Sequence, residues 1–250
     1  MRKQQGKRIA SLDAIRGLAI VNMVAYHAVY DWVYVFGKTA DWFGTHAAYL
    51  WEQAICWTFI LLAGVVSVYS RNLARHGAQV LACAMILTVV TALVLPEQII
   101  LFGVLHLLGT AMLLTAMLRP WLQKLPAGIA AAVCFGLFLL LKGVPRGFAG
   151  LADIKIWLLP QSLYQAKWAF FLGFPAKGFW SSDYFPLIPW IFLFWTGMFL
   201  WQKLRGKGEL ILRRLPDIPA LSAIGRNSLL IYMLHQPLTF AALWLIICWM

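Results

Sequence analysis

Apolar stretches long enough to cross a bilayer recur along this chain, at about 12–36, 48–70, 78–95, 98–118, 184–202 and 221–249. A shorter one lies near 127–142. About 20 apolar residues in a helix cross a hydrocarbon layer of about 30 Å. Within that layer every backbone N–H and C=O must be satisfied internally, so such stretches are helices. The expected fold class is therefore all-α, a polytopic integral membrane helix bundle of about seven transmembrane helices. Composition agrees, because a chain that is 62% hydrophobic carries more apolar surface than a soluble interior of this size can hide. Gly77, Pro96, Glu97, Pro120 and Pro126 punctuate the stretches. No internal repeat is visible, so a single transmembrane domain over 1–250 is expected.

The basic N-terminus, residues 1–10, is expected on the cytoplasmic side. It precedes an apolar run too long for a cleaved signal, which reads as a retained first span. Seven spans then leave Lys38, Lys142, Arg146, Lys155, Lys167 and Lys177 outside and gather most other Lys and Arg inside, as the positive-inside rule requires. Localisation is thus a multi-pass cell-membrane protein. The net charge of +12 reflects that topology and anionic headgroups, and nucleic acid is not an expected partner. Residues 143–183 are apolar but broken by Pro160, Lys155, Lys167 and Gln161. They read as an outer-side loop of short interfacial or re-entrant helices, with Trp157, Tyr164, Trp168 and Trp180 at headgroup level. Cys56, Cys83, Cys134 and Cys248 stand singly in apolar segments, so neither a disulfide framework nor a metal site is expected.

The first span has ionisable groups where lipid disfavours them. "SLDAIRGLAIVNMVAYHAVYDW", residues 11–32, contains Asp13, Arg16, His27 and Asp31. Each costs about 2.5–3.5 kcal/mol near a bilayer centre. Ser11 is expected to cap the helix, and Asp13 to sit in its first turn beside Arg16. Eleven residues separate Arg16 from His27, nearly three whole turns, so they share a face about 16 Å apart along the axis. Asp31 follows one turn later, where a carboxylate orients and charges an imidazole base. Arg16 alone could equally snorkel to headgroups.

Other spans add polar groups. His106 lies between Gly103 and Gly109 and reads either as a packing residue or as a substrate contact. "IGRNSLLIYMLHQPL", 224–238, carries Arg226, Asn227, Ser228, Tyr232 and His235, with Ser228 and His235 on one face. Such density lines a cavity more readily than it faces lipid. Asp183 and Tyr184 open the sixth span at the outer surface, Asp183 as a cap or as a substrate contact.

"SLDAIRGLAIVNMVAYH", "FILLAGVVSVYSR", "FGVLHLLGTAML", "DYFPLIPW" and "IGRNSLLIYMLHQPL", taken in this order, resemble the catalytic-domain family of heparan-alpha-glucosaminide N-acetyltransferase. The likeness runs from about 8 to 238. The Arg16-to-His27 spacing also resembles the Arg-x10-His signature of membrane acyltransferases that O-acetylate surface polysaccharides. The resemblance implies transfer of an acetyl group from cytoplasmic acetyl-CoA to an amine or hydroxyl of a small-molecule or glycan-type acceptor on the far side. Arg8, Arg16, Arg71, Arg75, Arg226 and Asn227 would hold the donor's phosphates. His27 would act as base with Asp31 behind it, and no metal is implied. His46, His106, Asp183, Tyr184, Ser228 and His235 would contact the acceptor. The human-type enzymes carry Asn where His27 stands and place their proposed histidine in the next outer loop, where this chain has His46. A transporter or flippase using the same polar stripe is the rival reading. A homodimer is one option for assembly.

Overall fold

The computed structural model describes residues 9–152 and 154–249. It is nearly all-α, and seven helices are long and apolar enough to span a membrane. Two compact units divide the chain. One comprises Met1–Phe59 and Leu204–Met250, the other Ile60–Lys203.

The first unit opens with α1 (Ala10–Tyr30), prolonged by a π-helical turn over Asp31–Val35. It also holds α2 (His46–Ser67) as far as Phe59 and α6 (Leu187–Arg214) from Leu204. Two further helices complete it, α7 (Pro219–Arg226) and α8 (Ser228–Trp249). The expected span 221–249 thus breaks at Asn227, whose N–H bonds back to the carbonyls of Ala223 and Ile224. Small residues set the crossing of α1 and α7. A Cβ at Gly17 would fall 2.0 Å from the Leu221 carbonyl oxygen, and one at Gly225 1.8 Å from that of Asp13. The backbones touch there because neither position has a side chain. Ile20, Met23 and Ile55 form the core beyond, with Trp51, Phe59, Ile224 and Ile231 packed on it. Ser11 is not the helix cap. It is buried and donates to the Leu212 carbonyl at 2.8 Å.

The second unit contains α3 (Leu73–Val94), α4 (Val104–Leu122) and α5 (Ala127–Leu141), with the adjoining parts of α2 and α6. Gly77, expected to end a span, lies inside α3, buried against Gly109 of α4. Asn72 starts α3 instead, its side chain accepting from the Arg75 N–H at 3.0 Å. Pro120 sits in the last turns of α4 without ending it. The segment 143–183 holds short 3-10 turns at Gln161–Tyr164 and Lys167–Leu172, and also an unanticipated hairpin. Its strands are β1 (Phe148–Leu151) and β2 (Ile154–Leu158), paired antiparallel with Phe148 opposite Leu158. Trp157, Trp168 and Trp180 are exposed, as headgroup contacts would be, whereas Tyr164 donates to the Val144 carbonyl. The expected span 184–202 continues as helix through the basic run 203–214. Glu209 pairs with Arg205 and Arg213 at i,i+4 spacing and carries α6 onward.

Candidate active site

α1 and α8 bring two histidines together inside the first unit. The rings of His27 and His235 lie 4.8 Å apart, tilted by 58°. Tyr26 and Tyr30 flank His27, and Tyr232 flanks His235. His235 is buried, and its Nδ1 lies 2.7 Å from the Tyr232 carbonyl oxygen. A carbonyl only accepts, so Nδ1 carries the proton, and the neutral ring presents a lone pair at Nε2. That Nε2 is buried and has no hydrogen-bond partner among the described residues.

Asp31 is fully buried one turn beyond His27, yet it does not hold the His27 ring. Its carboxylate accepts from the Gln236 amide at 2.7 Å and from the Thr239 hydroxyl at 3.2 Å. These two donors on α8 are the hydrogen-bond partners of Asp31 among the described residues, where the sequence reading expected the His27 ring. Asp31 therefore fastens the end of α1 to the turn of α8 that contains His235. Phe36 stacked on Phe240 extends the same contact.

Toward the start of α1, Arg16 lies 3.5 Å from Asp13 and 3.4 Å from the Gly225 carbonyl oxygen. It thereby reaches the carbonyl end of α7, where a cation is favoured. Arg226 and Asn227 are exposed at that junction, and the Asn227 amide donates to the Ala223 carbonyl. Ser228, half-buried, opens α8. His46 is exposed at the start of α2, its ring 5.9 Å from Tyr49. Arg8 lies outside the described residues.

Three polar residues of this unit escaped the sequence reading. Glu52 of α2 accepts from the Tyr26 hydroxyl at 3.2 Å, and a carboxylate inside the run 48–70 was its signal. Gln236 and Thr239 were marked only by their place beside His235 in an apolar helix.

In the second unit the expected acceptor contacts are tied into the fold. The Gly103 N–H donates to Nδ1 of His106 at 3.2 Å. Its Nε2 therefore holds the proton and donates to Thr88 Oγ1 at 3.2 Å, whose hydroxyl donates in turn to the Ile100 carbonyl. Both ring nitrogens are thus spent. Asp183 caps α4 rather than α6, accepting from the Val104 N–H at 3.0 Å. Gly103 must lack a side chain there, since a Cβ would meet Asp183 Oδ2 at 2.2 Å. Ser181 accepts from the Leu101 N–H and donates to the Asp183 carbonyl. The Tyr184 hydroxyl donates to the Phe170 carbonyl at 2.6 Å, and burial pushes its phenol above the ordinary range.

Arg71 and Arg75 line an open pocket of about 570 Å³ at the junction of α2 and α3, with Tyr69, Ser70, Asn72, His76 and Gln79. Both arginines are exposed, and Ser70 bonds His76 at 3.0 Å. The wall offers two guanidinium forks and several neutral donors, a combination that suits phosphate. Among the described residues, no three of His, Cys, Asp and Glu are grouped as a metal ion requires.

Residues 8–237 match the family model described as heparan-alpha-glucosaminide N-acetyltransferase, catalytic. No curated protein and no solved structure matches the chain. The family match covers all but the two ends of a chain with seven membrane-length apolar helices. This protein therefore belongs to the heparan-alpha-glucosaminide N-acetyltransferase catalytic family, a membership that points to acetyltransferase-type activity at a membrane.

Proposed function

We propose that the protein transfers an acetyl group from cytoplasmic acetyl-CoA to an amine or hydroxyl of a glycan-type acceptor on the outer side of the cell membrane. The observation that carries this reading is the His27–His235 pair, two imidazoles in contact inside helices otherwise suited to lipid. Ionisable groups in such places mark function more often than packing. An imidazole is the group that accepts a proton from a hydroxyl or amine as it attacks a thioester. The sequence favours His27 for that task, and Asp31 secures the helix end that carries it.

The donor's phosphates need cations on the cytoplasmic side. With the N-terminus inside, the α2–α3 junction and the α7–α8 junction both face the cytoplasm. Arg71 and Arg75 supply one basic surface, and Arg226 with Asn227 another. Arg16 contributes charge at the α7 terminus while also holding that crossing. For the acceptor, His235 keeps one ring nitrogen without a hydrogen-bond partner among the described residues, in contrast to His106.

Titration of the purified protein with acetyl-CoA tests the reading. Saturable binding at donor concentrations below about 1 mM, competed by CoA, is expected. No binding in that range contradicts it.

A further inference from the structure

We propose that His235 is the catalytic base of the acetyl transfer, and that its Nε2 takes the acceptor's proton. This rests on the acetyl-transfer reading and moves the base from His27, which the sequence favours, to His235.

A base must be held with its lone pair fixed toward the reacting atom. His235 meets that condition. The Tyr232 carbonyl fixes the proton on Nδ1, and Nε2 is left buried with no donor among the described residues. A buried acceptor without a protein partner costs stability, and a catalytic role is one reason for a fold to keep it. His27 differs. Its ring makes aromatic contacts with Tyr26, Tyr30 and His235, and no hydrogen bond to either nitrogen fixes its tautomer among the described residues. His27 forms the wall against which the reacting ring is held. Asp31 is a positioning residue, because Gln236, which it grips, directly follows His235.

The step balances without any further reactant. The acceptor nitrogen or oxygen forms a bond to the thioester carbonyl carbon while its proton passes to Nε2. The carbon–sulfur bond breaks and its electron pair stays on sulfur. The imidazolium then returns the proton to the CoA thiolate, releasing CoA thiol, acetylated acceptor and neutral His235.

The test uses the full chain reconstituted in lipid nanodiscs. Thiol release from acetyl-CoA is followed with water and with glucosamine as probe acceptors. His235→Ala and His235→Gln should each lower kcat by about 100-fold or more, with KM for acetyl-CoA within about twofold of wild type. His27→Ala should lose less than about tenfold on the same scale. Added imidazole should restore part of the activity of His235→Ala, which a purely structural loss would not allow. Wild-type kcat in either His235 variant overturns the assignment, as does a loss that imidazole leaves unchanged. Wild-type protein that releases no thiol overturns the acetyl-transfer reading itself, and the base assignment with it.

Discussion

The Asp31 carboxylate and the Gln236 amide meet at 2.7 Å, joining the C-terminal end of α1 to the turn of α8 that bears His235. Asp31 is fully buried and also accepts from Thr239. Its removal takes the acceptor from the Gln236 amide, whereas the Thr239 hydroxyl keeps the Gln236 carbonyl at 3.0 Å.

Asp31→Ala should therefore destabilise the protein by about 1–3 kcal/mol, the cost of leaving the half-buried Gln236 amide without its partner. Asp31→Asn should cost less, since one acceptor oxygen remains. Thermal unfolding in detergent measures both. Transfer activity should fall less in either variant than in His235→Ala, because the base remains while its support loosens. Unchanged stability in Asp31→Ala would remove its positioning role.

The paired change Arg71→Ala with Arg75→Ala should weaken acetyl-CoA binding by about tenfold or more, since two charge-assisted contacts are lost. Both side chains are exposed, so folding should be unaffected. Arg16→Ala should weaken binding and also lower stability, because Arg16 braces the carbonyl end of α7. Calorimetric titration at fixed salt, paired with a melting curve, separates the two cases. Unaltered affinity in the double variant would leave the pocket without a donor role.

How much of this was legible in the sequence depended on how far each signal reaches. Apolar length alone gave the seven spans, because the bilayer constrains every one of them in the same way. Span ends were less legible: Gly77 reads as punctuation but is a crossing point, and only its packing against Gly109 distinguishes the two. Helical spacing placed Arg16, His27 and Asp31 on one face, and the contacts with Gly225, His235 and Gln236 agree. The partner of Asp31 was not legible, because an i+4 neighbour competes with donors from another helix that spacing within one helix does not reveal. The hairpin at 148–158 was hidden for a related reason. An exposed apolar strand and an interfacial helix draw on the same residues.

Tyr184 gives a pH dependence outside the membrane-spanning helices. Burial raises its phenol, and the nearby Tyr164 adds to the shift. An unfolded phenol ionises near about pH 10, so above that pH the folded protein keeps a proton that the unfolded chain sheds. Stability should be level below about pH 10 and fall above it. Tyr184→Phe should cost about 1 kcal/mol at neutral pH through the lost bond to the Phe170 carbonyl. It should also flatten part of the alkaline decline. Melting temperatures collected between pH 7 and about pH 11 check this, and an identical alkaline slope in the variant would contradict it.

The most direct measurement uses sealed vesicles of one orientation, containing the protein, with glucosamine trapped on the face that was extracytoplasmic. Radiolabelled acetyl-CoA, which does not cross the bilayer, is added to the cytoplasmic face, and label on the trapped amine is counted. The account predicts labelled product inside, dependent on His235 and absent when the donor is supplied only from the opposite face. Donor that is bound and consumed while trapped glucosamine, and other trapped amine or hydroxyl sugars, stay unlabelled would contradict transfer across the membrane.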